Sequence, residues 1–153
     1  MATAIRRASP GDAAAAAEIT RAAYRPYVER IGREPAPMAA DFDALIDDGD
    51  VWVATDQERV VGVLVLRLRD AVLLLESVAV DPACQGRGIG RSLITHAERA
   101  ARDAGLGAVD LYTNAQMTEN LRMYPSLGYE VVDRRREDGF DRVYFRKPLA
   151  PGG

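Results

Sequence analysis

A single cysteine, Cys84, rules out an internal disulfide and a cysteine-based metal cluster, and no metal is expected. The chain also has only one histidine, His96, which falls near the apolar Ile89–Leu93–Ala100 face of an expected helix and reads as a packed residue. Positive charge is not in excess: 20 Lys and Arg stand against 23 Asp and Glu, a net −3. Neither nucleic acid nor an anionic membrane is therefore drawn by a global basic field. No apolar run is long enough to span a bilayer, and "MATAIRRASPGDAAAAAE" has no signal-peptide core. There are no repeats and no low-complexity linker. The expectation is a cytoplasmic protein with one domain over residues 1–153, and a homodimer is left open.

What is present is a core-forming composition, 48% hydrophobic and 28% charged. "TAIRRA" reads as a first strand, and Ser9–Pro10 as a helix start whose helix runs to about Tyr24 and kinks or ends at Pro26. "REPAPM" is expected as a loop and "AADFDALIDDG" as a second helix. "VWVAT", "RVVGVLVLRL" and "AVLLLESVAV" are strand-like runs, the first two a hairpin. Ile89, Leu93, Ala97, Ala100 and Ala104 recur at helical spacing up to Gly105. "AVDLYT" is a further strand and "TENLRMYPSL" a short helix with Thr118 as its cap. "YEVVDRRR" and "RVYFRKPL" make a hairpin turned at "EDGF". The order predicts a mixed α/β fold: a mostly antiparallel sheet with one parallel β-α-β crossover and helices on both faces.

"CQGRGIGRS" lies at the entry of that crossover, where helix N-terminal amides can hold phosphate oxygens. Its glycines, Gly86, Gly88 and Gly90, do not fit G-x-G-x-x-G, and Gly90–Arg91–Ser92 has no lysine for a nucleoside-triphosphate loop. A ligand-free tight connection is the structural alternative.

The stretch "LESVAVDPACQGRGIGRSLI" resembles the GNAT superfamily of acyl-CoA-dependent N-acyltransferases, with Gln85, Gly88 and Gly90 on its Q/R-x-x-G-x-G/A pattern. "YPSLGY" is similar to the family's Tyr-x-x-x-Gly-Phe/Tyr ending, and the element order agrees from about residue 3 to 149. The resemblance implies the GNAT fold and acetyl-CoA as co-substrate. It implies that the loop Gln85, Gly86, Arg87, Gly88, Ile89, Gly90 and Arg91 holds the pyrophosphate. It also implies that Val78, Ala79 and Val80 form the strand that pairs with pantetheine, and that Tyr124 protonates the coenzyme A sulfur. The family often has Asn-x-x-Ala-x-x-x-Tyr here. This chain has Met117 at the first position, and Asn120 is the candidate for the coenzyme contact. The arginine side chains have surface charge as their alternative.

Glu76 is the one charged residue between Ala71 and Val80. A carboxylate desolvated there suits a general base, directly or through water, whereas an exposed edge or a structural ion pair is the alternative. Tyr124 can equally be a core aromatic, on a stripe with Met117 and Leu121. Pro125 removes the donor for the Leu121 carbonyl, so the helix is expected to bend or finish at Met123–Tyr124. The family places the acceptor between the first helix region and the last hairpin. That points to Tyr24, Tyr27, Met38 and Phe140, with Arg30 and Arg33 nearby. The acceptor is a small-molecule amine, a peptide N-terminus or a lysine. The rival function is a non-catalytic acyl-CoA-binding sensor.

Overall fold

The computed structural model describes residues 3–150; residues 1–2 and 151–153, the ends of the expected domain, lie outside the described residues. The chain runs β1 (Ala4–Arg7), α1 (Ala13–Ile31), α2 (Phe42–Asp47), β2 (Val51–Asp56), β3 (Arg59–Arg69) and β4 (Val72–Val80). It continues as α3 (Ile89–Asp103), β5 (Ala108–Asn114), α4 (Thr118–Ser126), β6 (Glu130–Glu137) and β7 (Phe140–Pro148). The strands form one seven-stranded sheet in the order β1-β2-β3-β4-β5-β7-β6. Only the β4–β5 pairing is parallel. The mixed sheet with a single crossover is as the sequence predicts.

Alternation along the strands feeds two cores. Val51, Val53, Val63 and Val65 meet Ala16, Ile19, Phe42 and Ile46 of α1 and α2 on one face. Leu64, Leu66, Leu73, Leu75, Val109 and Leu111 meet Leu93, Ile94, Ala97 and Ala101 of α3, together with Tyr124, on the other. Each such aliphatic side chain contributes roughly 1.5–3 kcal/mol by leaving water. At Gly62 a side-chain carbon would lie 3.0 Å from Ile89 Cγ2 and from Leu93 Cδ1. That missing side chain lets the N-terminal end of α3 sit directly on β3. Among the described residues no helix is long and apolar enough to cross a membrane.

Three expectations are corrected. α1 does not stop at Pro26 but runs to Ile31, where Gly32 (φ 88°) closes it with its amide on the Val28 carbonyl. Proline removes one helical bond, and the flanking turns evidently outweigh that loss. α2 is shorter than expected, because Ala36–Ala39 forms a 3-10 turn and Asp41 caps the helix by accepting from the Ala44 amide at 3.1 Å. α4 is capped at Met117, with Thr118 its first residue, and passes through Pro125 to Ser126 rather than ending at Met123–Tyr124. Its last turn closes with bonds from the Leu127 and Tyr129 amides to the Tyr124 carbonyl, at 3.0 and 3.1 Å, which do not need the proline nitrogen.

One irregularity positions everything that follows. In the β3–β4 ladder Leu66 pairs with Leu75 and Val65 with Ser77, leaving Glu76 as the extra residue of a bulge. Without it, residues 77 and 79 would continue the Leu73–Leu75 face. Instead Ala79 packs with the α1–α2 core, and Glu76 and Ser77 line one pocket on that same side.

Candidate functional site

β4 and β5 pair only over Leu73–Leu75 with Val109–Leu111. Beyond that point β4 stays with β3 and β5 stays with β7, so the two strands part and the β5-facing edge of Val78–Val80 opens into a cleft. The cleft is walled by Tyr24 and Tyr27 of α1, by Gln85, Gly86 and Gly90, and by Met117, Asn120 and Tyr124. A bare strand edge offers main-chain donors and acceptors to an extended partner. The Tyr24 hydroxyl donates to the Val78 carbonyl at 3.4 Å, and burial pushes that hydroxyl well above its ordinary pKa.

At the mouth, Asp81 accepts from the Ala83 amide at 3.0 Å and from Arg59 Nη2 at 2.7 Å, which fixes the turn leaving β4. Gly86 and Gly88 then adopt φ 84° and 79°, left-handed values that favour glycine. Gly88 caps α3 and has no side chain to satisfy the first amides. Among the described residues, the amides of Gln85 through Arg91 donate to no protein acceptor. Several orphan N–H groups at the positive end of a 15-residue helix form a site for phosphate oxygens.

The cleft continues into a second pocket through Tyr24 and Met117, which line both. This pocket also contains Pro35, Pro37, Phe140, Tyr112, Glu76 and Arg142. Glu76 is not desolvated as expected: its side chain is 26% exposed, with Arg67 Nη1 at 3.9 Å, too far for a hydrogen bond. Arg142 lies over the Tyr112 ring at 4.6 Å and the Phe140 ring at 5.3 Å. Burial raises the Tyr112 hydroxyl pKa, Arg142 and Arg69 oppose the rise, and Glu76 and Glu137 add to it.

Tyr124 is 4% exposed, packs edge-on to Tyr129 at 5.7 Å, and lines the cleft with Val78–Val80. It is thus a core aromatic whose hydroxyl, among the described residues, makes no hydrogen bond. Burial, reinforced by Tyr24, pushes its pKa above the usual phenol value. Asn120 Nδ2 donates to Thr113 Oγ1 at 3.1 Å.

Other expected residues fall outside the second pocket. Met38 is buried, with its carbonyl held by Arg21 Nη1 at 2.9 Å, and is not a pocket wall. Tyr27 lines the loop side, not the second pocket, and donates to Glu119 Oε2 at 3.1 Å. Arg30 pairs with Glu119 at 2.7 Å, and Arg33 donates to the Asp138 carbonyl at 2.8 Å while covering Phe140. Ile89 is a core residue. The Arg87 side chain turns to Asp56 at 3.8 Å, and Arg91 lies with His96 and Arg99 in a separate groove. Neither arginine side chain lines the cleft. His96 packs against Trp52 with ring centroids 4.5 Å apart and planes tilted by 56°, its pKa lowered by burial and then by Arg99. Tyr112 and Arg142 escaped sequence reasoning because only the β5–β7 register, Asn114 opposite Arg142, brings them together.

A sequence model described as the Acetyltransferase (GNAT) family matches residues 15–129. The chain belongs to this family. Among GNAT relatives, the aminoglycoside N(6')-acetyltransferase type 1 of Stenotrophomonas maltophilia is 30% identical over 161 residues, covering 96% of this chain and 94% of that protein. The mycothiol acetyltransferase of Nocardia farcinica is 32% identical over 130 residues, 80% of this chain. The chain spans less than half the length of the mycothiol acetyltransferases it matches: 43% of this one and 18% of that from Rhodococcus erythropolis. The PaiA N-acetyltransferase of Thermoplasma acidophilum, solved in complex with coenzyme A, superposes with a TM-score of 0.76 at 18% identity, covering 97% of this chain and 100% of that one. The ribosomal-protein-S18-alanine N-acetyltransferase of Escherichia coli gives a TM-score of 0.76 at 20% identity, over 99% and 97% of the two chains. These two likenesses show the GNAT fold.

Proposed function

We propose that this chain forms one acetyltransferase domain that moves an acetyl group from acetyl-CoA to a primary amine by direct transfer in a ternary complex. The observation that carries the reading is the parting of β4 from β5, with unbonded amides at one end of the opening and Glu76 at the other. The amides of residues 85–91 hold the pyrophosphate. The free edge of Val78 and Val80 pairs with the pantetheine amides, which requires the Tyr24 hydroxyl to share or release the Val78 carbonyl. Glu76 takes the proton from the acceptor, directly or through water, as the amine nitrogen bonds to the thioester carbonyl carbon. An amide near Val78 polarises that carbonyl. Tyr124 gives its proton to the sulfur as the C–S bond breaks, yielding the acetylated amine and coenzyme A. The Tyr124 phenol, held above its ordinary pKa by burial, is protonated at neutrality, although the same shift makes it a weaker acid.

Calorimetry with acetyl-CoA, followed by thiol release with a panel of amines, tests the reading. Micromolar binding with amine-dependent thiol release is expected. Binding without release from any amine would replace the enzyme by an acyl-CoA-binding sensor, and no binding would overturn both.

A further inference from the structure

Among the described residues, only two charged side chains line the second pocket, Glu76 and Arg142; the remaining lining is mostly apolar or aromatic. Arg142 differs from the arginines that are fully paired with a carboxylate in how its charge is met. Arg146 reaches Asp110 with two hydrogen bonds, at 2.7 and 2.9 Å, Arg6 reaches Asp12 at 2.7 and 3.1 Å, and Arg30 reaches Glu119 at 2.7 and 3.3 Å. Those side chains are 45–47% exposed, where water could have served instead. The Arg142 side chain is 13% exposed, yet among the described residues none of its N–H donors makes a hydrogen bond. Its nearest carboxylate oxygen, Glu137 Oε1, is 3.6 Å from Nη1 and already accepts from the Tyr144 hydroxyl. The Arg142 nitrogens are not sealed from solvent, so the unfilled donors stay open to a ligand entering the pocket.

We infer that Arg142 anchors a carboxylate on the acceptor, so that the acceptor class is an amine bearing a carboxylate a few bonds away, as in an α-amino acid with an apolar side chain. The carboxylate takes the open donors of Arg142, for which a planar guanidinium is suited. The amine then lies toward Glu76, the only carboxylate in the pocket. Phe140, Tyr24 and the prolines at 35 and 37 receive the apolar part. The inference rests on the acetyltransferase reading for the fate of the amine, but not for the binding of the carboxylate.

The test uses matched pairs of leucine, phenylalanine and methionine with their carboxamides, and two readouts. Thiol release gives the ratio of kcat/KM within each pair. Calorimetry on the coenzyme A-loaded protein compares the N-acetyl amino acids with their amides and needs no turnover. In the best-used pair the carboxylate should be favoured roughly tenfold or more, because a charge-assisted bond is at stake. Arg142→Gln should bring the ratio to about one, and Arg142→Lys should leave an intermediate value. A wild-type protein that treats carboxylate and amide alike, or favours the amide, overturns the inference even if both variants fail to fold. So does a preference that survives Arg142→Gln. If no amine releases thiol while Arg142-dependent carboxylate binding persists, the acetyltransferase reading fails and the carboxylate site stands.

Discussion

On the loop side of the cleft the groups turned inward are mostly main-chain: the amides of residues 85–91 and the open edge of Val78–Val80. On the acceptor side they are side chains drawn from separate elements, Tyr24 from α1, Glu76 from a bulge in β4, Tyr112 from β5, and Phe140 and Arg142 from β7. A backbone site tolerates side-chain changes that do not alter the path of the chain. A side-chain site can be rebuilt residue by residue without disturbing the fold. The first half is thus suited to one invariant ligand and the second to a ligand that differs between relatives, in keeping with aminoglycoside and mycothiol acetyltransferases among them.

Tyr124 lines the cleft, and its loss should have the largest effect. Tyr124→Phe keeps the buried ring and removes a hydroxyl with no protein partner, so stability should hold. The kcat should fall about 10²–10⁴-fold with little change in acetyl-CoA affinity. The pH profile sharpens the point. Because burial raises this phenol's pKa, the donating form persists as pH rises through the ordinary phenol value near 10. Wild-type kcat should therefore show no Tyr124-dependent fall below about pH 10. A descending limb near pH 8 that vanishes in Tyr124→Phe would contradict the assignment, as would a variant that loses binding but keeps kcat.

Gly86→Val tests the backbone half. Gly86 has φ 84° and its missing side chain would project into open space, the space of the cleft itself. Left-handed backbone costs a side-chain-bearing residue roughly 1–2 kcal/mol, a modest loss that the fold can absorb. Coenzyme A affinity should drop about tenfold or more, since a side chain would stand where the phosphates approach the amides. Calorimetry and a melting curve separate the two effects. A folded variant with unchanged affinity would break the view that this side is made of backbone.

The same division explains what could be read without coordinates. The loop is contiguous in sequence, and its glycines, flanking strand and following helix all announce themselves locally. The mixed sheet with its one parallel crossover followed from the order of strand-like and helix-like runs. The bulge did not: in "LLLESVAV" apolar residues stand on both faces, so one extra residue at Glu76 leaves no trace in the pattern. That is why Glu76 was expected buried rather than 26% exposed beside Arg67. Pro26 was read by its local cost, although α1 continues through it and places Tyr27 in the cleft wall. Met38 was read as a wall, but the prolines at 35 and 37 fold the segment into a 3-10 turn that buries it. Arg142 depends on long-range register and could not be seen locally.

The smallest effect concerns the seam. Asn120 lines the cleft, Thr113 lines the second pocket, and the 3.1 Å hydrogen bond from Asn120 Nδ2 to Thr113 Oγ1 ties α4 to β5 between them. Thr113 is buried and also donates to Met117 Sδ at 3.7 Å, while Asn120 is only partly buried. Asn120→Ala removes one donor and leaves the Thr113 oxygen without its acceptor role, a loss of about 0.5–1.5 kcal/mol in unfolding free energy. Thr113→Val removes the other partner and adds an apolar methyl of similar shape. If the bond links the halves, the double variant should be less destabilised than the sum of the singles, with a coupling of about 0.5–1 kcal/mol. The kinetic consequence follows the same geometry. Loosening α4 from β5 lets Asn120 shift in the wall of the cleft and Thr113 in the wall of the second pocket, so both KM values should rise by a few-fold. Strict additivity in chemical denaturation, or a KM change confined to acetyl-CoA, would show that the coenzyme and acceptor sides act as separate sites with no mechanical tie through this bond.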